Sequence, residues 1–141
     1  MRLFLGTDIC EIQRIEDIYK KYGQEFLKKI YTLREINYCL SNERMAVPRL
    51  AARFAAKEAV SKALKIGMNG LGWEKGMYFK DIEVLKDENG AVSIKLYGKA
   101  HELEKKLCIT DWEVSISHSK SNAIATVIGY RSTPVSYTHL T

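Results

Sequence analysis

The sequence predicts an α+β fold in which an antiparallel sheet packs against a long alanine-rich helix. Apolar residues alternate with period two near the amino terminus and again over residues 112–130, which is typical of strands. Between them lies an alanine-rich stretch with helical spacing, residues 46–65. The turn signals DENG and SKSN join neighbouring apolar segments into hairpins. With 141 residues and 46% hydrophobic content, the chain fits one domain with a modest core.

The first half of the chain is predicted to contain one strand and three short helices before the long one. The predicted bounds are 2–10 for the strand and 12–22, 24–30 and 33–41 for the helices. One face of the strand carries Phe4, Gly6, Asp8 and Cys10. Gly23 ends the first helix, and Thr32 with Glu35 three positions later forms a capping box for the third.

The second half is predicted to form two hairpins separated by a helix. The predicted bounds are 82–85 with 92–97, then the helix 98–107, then 112–118 with 123–130. In the first turn, the pair Asn89-Gly90 suits positive φ angles. The glycine-rich stretch 67–76 is predicted to be a loop, and it lacks the spacing of a Walker loop or a dinucleotide fingerprint.

Composition narrows the function classes without choosing one. The formal charge of +5 favours an anionic partner: nucleic acid, a phosphorylated cofactor, an acidic protein or an anionic membrane. Cys10, Cys39 and Cys108 are scattered, which argues against a disulfide framework or a zinc site and favours a reducing cytoplasm. The first apolar stretch is too short for a signal peptide, and no run is long enough to span a membrane.

The carboxyl terminus is predicted to be foreign to the domain. Apolar alternation stops after Tyr130, and residues 132–141 show no period. The segment 135–140 also reads as one frame of a sequencing adapter would. We therefore take residues 1–131 as the single domain and the remainder as a non-native or disordered tail. Codons that do not spell the adapter would contradict this interpretation.

The long helix carries charges on an arc that also contains large apolar residues. That arc surrounds Leu50 and Phe54 with Arg53, Lys57, Glu58 and Lys62. Whatever covers the apolar pair also buries part of the neighbouring charge, and buried charges require partners. Three cations against one carboxylate favour a ligand with several negative charges, such as phosphates. The alternative is an idle, solvated ion pair between Glu58 and Lys62.

Asp8 and His118 each have more than one interpretation. Asp8 either caps the helix that begins near Ile12 or supplies a carboxylate to a magnesium ion. His118 ends an apolar strand face and, taken alone, is an ordinary strand-end residue. No Ser/His/Asp or Cys/His catalytic signature is readable in the sequence.

Two motifs resemble those of a known enzyme family. GTDICEIQR, residues 6–14, matches a Gly-x-Asp motif followed by an arginine. FAAKEAVSKA, residues 54–63, matches the longer pattern F-A-x-K-E-A-x-x-K-A. Their order and spacing, and the SISH segment near the end, extend the resemblance over residues 2–130. On these motifs the chain resembles the 4′-phosphopantetheinyl transferases of the short bacterial type.

The resemblance implies an activity, a fold and an assembly. Such enzymes transfer the 4′-phosphopantetheine group of coenzyme A to a serine of apo acyl carrier protein, in support of fatty acid biosynthesis. The products are holo acyl carrier protein and adenosine 3′,5′-bisphosphate. The implied assembly is a homotrimer of the family fold, with active sites between subunits and a neighbouring subunit covering Leu50 and Phe54.

The resemblance also implies a role for each matching residue. Asp8 and Glu58 correspond to ligands of Mg²⁺, for which Mn²⁺ is a possible substitute. Lys62 corresponds to the residue that neutralises charge at the leaving phosphate, and these three form the implied catalytic group. The implied contacts to coenzyme A are Arg53, Lys57, Ser61, Gly67 and His118. Arg14 and Lys21 lie on the helix implied to receive the acidic carrier protein. Either Glu58 or a metal-bound water accepts the serine proton.

Two other function classes remain open at the level of sequence. A small nucleic-acid-binding domain would use the positive charge, but no RNP motif, helix-turn-helix or zinc knuckle is present. An inactive scaffold that binds carrier proteins would need the basic helix, but it would not need Asp8, Glu58 and Lys62 together. We therefore expect an enzyme, with neither nucleic acid nor membrane as a partner.

Overall fold

The structure is a computed structural model that describes residues 1–65 and 79–132. Its elements are β1 (Phe4–Glu11), α1 (Ile12–Tyr22), α2 (Gln24–Ile30), α3 (Leu33–Leu40), α4 (Ala46–Ala63), β2 (Ile82–Lys86), β3 (Val92–Leu96), α5 (Gly98–Lys106), β4 (Asp111–His118) and β5 (Asn122–Tyr130). The predicted α+β class and element order are confirmed. The predicted glycine-rich loop and all of the predicted tail except Ser132 lie outside the described residues. No helix in the described ranges has the length and apolar character needed to cross a membrane.

In residues 1–65 and 79–132, the strands form two separate sheets. β1, β5 and β4 pair in that order as a three-stranded antiparallel sheet, whereas β2 and β3 form a hairpin of their own. Asp8 on β1 pairs with Ala125 on β5, which pairs with Ile116 on β4, so these residues form one row across the sheet. Burial alternates along β1 as predicted, with Phe4, Gly6 and Cys10 facing inward. The helix α4 packs across this inner face.

The chain itself covers the apolar pair on α4. Leu50 is fully buried, and its carbonyl oxygen accepts a hydrogen bond of 2.8 Å from the Tyr31 hydroxyl. Phe54 stacks on Phe79 with ring centroids 5.3 Å apart. The expectation that a neighbouring subunit covers Leu50 and Phe54 is therefore wrong. Phe79, a long-range partner that a helical wheel does not contain, supplies part of the cover.

The turn of the first hairpin differs from the prediction. Gly90 takes a positive φ of 87°, but Asn89 is not among the described non-glycine residues with positive φ. The Asp87 carboxylate accepts hydrogen bonds from the backbone N–H groups of Asn89 and Ala91. A side chain that bonds to the backbone in this way builds a turn without two positive φ angles. Gly23 does end α1 with a positive φ of 56°, as predicted.

Candidate active site

The candidate active site begins where β1 crosses α4. A Cβ atom at Gly6 would lie 1.8 Å from the Ala59 carbonyl oxygen and 2.9 Å from the Ala63 amide nitrogen. Glycine is therefore required for the strand backbone to lie directly on the helix backbone. Asp8 follows two positions later and points to the same side of the strand, because side chains alternate along β structure. The close crossing thus brings Asp8 to the part of α4 that carries Glu58 and Lys62.

Asp8 pairs with Lys62 rather than with a helix end. The Lys62 ammonium donates a hydrogen bond of 2.8 Å to Asp8 Oδ1 and one of 3.1 Å to the Thr7 carbonyl oxygen. This hydrogen bond to Asp8 is the main cause that raises the pKa of Lys62. The interpretation of Asp8 as a cap for α1 is wrong, because Glu11 occupies the cap position without a side-chain bond. The alternative pair between Glu58 and Lys62 is absent from the ion pairs of the described residues.

Glu58 is half-buried beside a second carboxylate. Burial raises the pKa of the Glu58 carboxyl above its ordinary value, and the Asp8 carboxylate raises it further. The positive charges of Arg14 and Lys62 act in the opposite direction and offset part of this increase in the pKa of Glu58. Within the described residues, no hydrogen bond or ion pair engages the Glu58 side chain. A partly desolvated carboxylate without a direct partner is the kind of group that a cation stabilises.

The donor set fits a hard divalent cation. The described residues contain no cluster of three or more His, Cys, Asp or Glu side chains that could hold a metal ion by themselves. Asp8 and Glu58 provide two carboxylates, and Mg²⁺ is commonly held by one or two carboxylates together with substrate phosphates and water. Both donors are oxygen atoms, which suits Mg²⁺ or Mn²⁺ rather than a soft metal. The residues present therefore fit a magnesium site that a phosphorylated ligand completes.

Lys57 and Ser61 are placed differently from the prediction. Lys57 is fully buried, and its ammonium donates to Glu35 Oε1 at 2.8 Å, to the Phe79 carbonyl at 3.1 Å and to the Ile82 carbonyl. Burial lowers the pKa of Lys57, although Glu35 favours the charged form. Ser61 is also buried, and its hydroxyl donates to the Glu58 carbonyl oxygen at 2.8 Å. Both geometries disagree with a contact to a cofactor phosphate, because the donors are already used inside the chain.

Arg53 and His118 line a cavity of about 310 Å³. The other lining residues that matter here are Arg49 from α4 and Lys86 from the first hairpin. The Arg49 and Arg53 guanidinium groups lie over the ring of Tyr38, at 4.3 and 4.5 Å from its centroid. Arg53 is buried, and its Nε atom has no hydrogen-bond partner among the residues that the structure describes. A buried donor without a partner, surrounded by cations, favours an anionic ligand.

The cavity and the carboxylate pair lie at opposite edges of the sheet. Asp8 belongs to the edge strand β1, whereas Ile116 and His118 belong to the other edge strand, β4. Two strand spacings separate the two edge strands, which amounts to about 10 Å between the Cα atoms of Asp8 and Ile116 in the row that they share. α4 contacts β1, β5 and β4 and so lies between the two groups. The chain therefore presents two distinct polar surfaces.

The predicted docking residues share α1. The Arg14 guanidinium lies 5.8 Å from the centroid of the Phe54 ring, and its charge acts on Glu58. Lys21 is exposed, with its ammonium 5.3 Å from the centroid of the Tyr22 ring. Arg14 thus connects the basic helix with the carboxylate pair. The remaining predicted contact, Gly67, lies outside the described residues.

Sequence reasoning missed several residues that build these surfaces. Arg49 lies one helical turn before Arg53, so the spacing of the two arginines on α4 is the signal that identifies it. Tyr38 and Lys86 come from other elements, and no local spacing links them to Arg53. The sequence identifies Glu35 as part of a capping box, but its bond to Lys57 spans 22 positions and has no local signal.

Comparisons with known proteins agree with the fold and with the motifs. The family model of the 4′-phosphopantetheinyl transferase superfamily matches residues 4–127. A holo-[acyl-carrier-protein] synthase of Gloeobacter violaceus is 44% identical over 123 residues, which cover 87% of this chain and 89% of that protein.

Solved structures give the same result. The Helicobacter pylori holo-[acyl-carrier-protein] synthase in complex with coenzyme A matches with a TM-score of 0.75 and 33% identity, over 89% of this chain and 99% of the other. The Bacillus anthracis holo-(acyl-carrier-protein) synthase in complex with CoA (3′,5′-ADP) matches with a TM-score of 0.69 and 35% identity, over 91% and 96% of the two chains. The chain therefore belongs to the 4′-phosphopantetheinyl transferase superfamily, among the holo-[acyl-carrier-protein] synthases.

Proposed function

We propose that this chain transfers the 4′-phosphopantetheine group of coenzyme A to a serine hydroxyl of an apo acyl carrier protein. The observation that carries the proposal is the meeting of Asp8, Glu58 and Lys62 where β1 crosses α4. The names of the relatives, and the coenzyme A bound in two of them, support the same substrates. The products are holo acyl carrier protein, which serves fatty acid biosynthesis, and adenosine 3′,5′-bisphosphate.

The transfer breaks one phosphoanhydride bond and forms one phosphate ester. The serine oxygen bonds to the phosphorus nearer pantetheine, and the bond from that phosphorus to the bridging oxygen breaks. Adenosine 3′,5′-bisphosphate leaves with the bridging oxygen, and the serine proton passes to a base. Little covalent work falls to the protein, so positioning and charge neutralisation carry the catalysis.

Asp8 and Glu58 are the residues that would hold Mg²⁺, with Mn²⁺ as a substitute of the same ligand preference. When bound, the ion neutralises charge on the pyrophosphate oxygens. The raised pKa of Glu58, caused by burial and by Asp8, supports this role because a bound cation would stabilise the charged carboxylate and offset both effects. Chelation with EDTA is expected to stop transfer, and added Mg²⁺ is expected to restore it. Full activity in EDTA would contradict the metal site.

Lys62 supplies a movable positive charge. Its side chain is 53% exposed, and its partner in the structure is the Asp8 carboxylate. A bound Mg²⁺ would engage that same carboxylate. The ammonium can therefore turn from Asp8 to an oxygen of the leaving phosphate without losing a charged partner. A lysine at this place stabilises the charge that develops on the leaving group.

Arg53 and His118 are proposed to bind the nucleotide part of coenzyme A. Support comes from the cavity that they share with Arg49 and Lys86, and from the unpartnered Nε atom of Arg53. We expect Arg53→Gln to raise the KM for coenzyme A about tenfold, because it removes one charge-assisted contact to a phosphate. An unchanged KM would remove Arg53 from the cofactor site.

The carrier protein is proposed to dock on α1 through Arg14 and Lys21. Arg14 lies close to Phe54 and acts on Glu58, so a partner held there has its serine near the carboxylate pair. The chain carries a formal charge of +5, which complements an acidic partner.

A trimer with active sites between subunits is proposed as the working assembly. On the outer face of the three-stranded sheet, Ile9 and Ile124 occupy paired positions and are 60% and 44% exposed. Exposed apolar side chains that lie side by side are consistent with an interaction site. The separation of the Arg53 cavity from Asp8 and Glu58 also supports it, because a neighbouring subunit brings a second copy of one surface near the other.

The cytoplasm is the proposed location. Cys10 and Cys39 are free and buried, and burial raises the pKa of each thiol to about 11. Protonated, buried thiols are poor nucleophiles, so neither is a candidate for the catalysis. Free cysteines are typical of a reducing compartment such as the cytoplasm, where we also expect the carrier protein of fatty acid synthesis.

Mass spectrometry of the carrier protein tests the proposal directly. The purified chain is incubated with coenzyme A, Mg²⁺ and an apo acyl carrier protein, and the carrier is expected to gain the mass of one phosphopantetheine group. A carrier in which the acceptor serine is replaced by alanine is the matched control. No mass increase with several apo carriers would overturn the proposed function.

A further inference from the structure

A buried ion pair closes the free edge of the first hairpin. β2 pairs with β3 on one side, and within the described residues it belongs to no larger sheet. The N–H of Val84 and the carbonyl of Ile82 are therefore buried backbone groups that need partners from elsewhere. Glu35 Oε2 accepts from the Val84 N–H at 2.8 Å, and the Lys57 ammonium donates to the Ile82 carbonyl. The two side chains thus replace a missing neighbouring strand.

Every polar atom of the pair has a partner. Lys57 uses its three ammonium hydrogens on Glu35, Phe79 and Ile82. Glu35 Oε1 accepts from Lys57 and also from the N–H of Thr32 at 2.8 Å. Both side chains are 0% exposed, so no ligand reaches either charge in this protomer. Removing either member is expected to destabilise this arrangement strongly, because the other member is then an uncompensated buried charge.

The hairpin that the pair holds is one wall of the Arg53 cavity. Lys86, Gly90 and Val92 line the cavity from the hairpin, whereas Arg49 and Arg53 line it from α4. Among the described strands, no ladder of backbone hydrogen bonds joins the hairpin to the three-stranded sheet. The placement of the hairpin therefore depends on side-chain contacts. The directional ones are the bonds of Glu35 and Lys57 and the bonds that Thr32 and Arg34 donate to Glu83 on β2. The Glu35–Lys57 pair is the fully buried part of this set, and we expect it to contribute to the width of the cavity.

We propose that Lys57 and Glu35 are positioning residues that set the affinity for coenzyme A. They hold the hairpin wall of the cavity at a fixed place relative to Arg49 and Arg53. The inference rests on the proposed function, since it takes this cavity as the site of the nucleotide. Asp8 and Glu58 are placed by the crossing at Gly6, so the pair acts on cofactor binding and not on the chemical step.

A double-mutant cycle tests the inference. The variants are Glu35→Gln, Lys57→Met and the two combined, and Lys99→Met is the matched control because Lys99 belongs to an exposed ion pair. Coenzyme A binding is measured by calorimetry, and kcat and KM by transfer to the carrier. We expect each single change to weaken coenzyme A binding and raise its KM about tenfold, with kcat nearly unchanged. The double variant is expected to be no worse than either single variant, and the control is expected to match the wild type.

Two outcomes overturn the inference. A raised KM in Lys57→Met with a wild-type KM in Glu35→Gln would mean that Lys57 itself touches the cofactor. Lower thermal stability in both variants, with wild-type binding of coenzyme A, would make the pair structural only. If Lys57→Met does not fold, Glu35→Gln decides the matter through coenzyme A binding and through faster hydrogen exchange at the Val84 N–H. A wild type that binds coenzyme A but transfers nothing would refute the proposed function and leave this test intact.

Discussion

Lys57 and Glu58 are neighbours on α4, yet their environments are opposite. Lys57 is fully buried with three hydrogen bonds inside the chain. Glu58 is half-buried beside Asp8, and no described residue bonds to its carboxylate. Both belong to the same sequence motif. Lys57 stabilises the fold, whereas the Glu58 carboxylate still has oxygen atoms that can accept bonds from a ligand.

This difference separates structural charges from chemical ones. A buried charge that satisfies all its hydrogen bonds stabilises one arrangement of the chain and has nothing left for a ligand. A partly desolvated charge without a partner destabilises the free protein slightly and is stabilised when a counter-charge arrives. The predictions below test whether the two regions behave in these two ways, beginning with the residue on which the chemical region depends.

Gly6→Ala is expected to have the largest effect. The added Cβ meets the Ala59 carbonyl oxygen at 1.8 Å, so β1 and α4 must separate. We expect a loss of about 3 kcal/mol or more in the free energy of unfolding, as for severe overpacking, together with loss of transfer. Chemical denaturation and the mass-spectrometric assay measure both. A variant with wild-type stability and activity would show that the crossing does not place Asp8.

Glu58→Gln and Asp8→Asn are expected to abolish transfer while the fold persists. Loss of a main electrostatic contribution lowers the rate about 1,000-fold. Glu58→Gln is expected to melt at or above the wild-type temperature, because it removes a partly buried charge that Asp8 repels. Added Mg²⁺ should raise the melting temperature of the wild type and of neither variant.

The structural role of Lys57 and the chemical role of Glu58 are distinguished if Lys57→Met melts well below the wild type and Glu58→Gln does not. Equal losses of stability in the two variants would contradict this difference in roles. A wild-type transfer rate in either carboxylate variant would remove that residue from the metal site.

How far the sequence predicts this molecule depends on the range of the interactions. The alternation of β1 placed Asp8 on the same face as Gly6, and the local spacing was enough for that. The helical wheel gave the direction of Lys57 but not its depth, because its partners Glu35 and Phe79 are each 22 positions away. α4 is buried on nearly all sides, so the helical wheel, which assumes one solvent-exposed face, does not describe its environment. Arg53 and His118 likewise share a cavity because β4 belongs to the sheet that packs on α4. Their spacing along the sequence does not indicate this contact.

Ile9→Lys tests the opposite face of β1. Ile9 is exposed on the outer side of the sheet, and burying an unpaired lysine there in a subunit interface would cost several kcal/mol. We expect light scattering to show trimers for the wild type and monomers for the variant, and transfer to fall with the trimer fraction. Leu33→Lys is the control, since Leu33 is an exposed leucine on α3, away from this sheet. A monomeric wild type with full activity would contradict the assembly.

The smallest effect is expected at Lys21. A single exposed charge contributes at most about 1 kcal/mol, so Lys21→Ala should raise the KM for the carrier protein no more than about fivefold. Arg14→Ala should raise it further, because Arg14 lies against Phe54 and acts on Glu58.

Salt separates the two docking residues further. At high ionic strength the effect of Lys21→Ala is expected to vanish, since exposed charges are screened. Arg14 is exposed in the chain alone but lies over Phe54, so we expect a docked carrier to cover its pair with a carrier carboxylate and the effect of Arg14→Ala to persist. KM values at low and high salt measure both. Equal effects with equal salt dependence would mean that α1 attracts the carrier as a diffuse basic surface, and that Arg14 does not align the serine with the carboxylate pair.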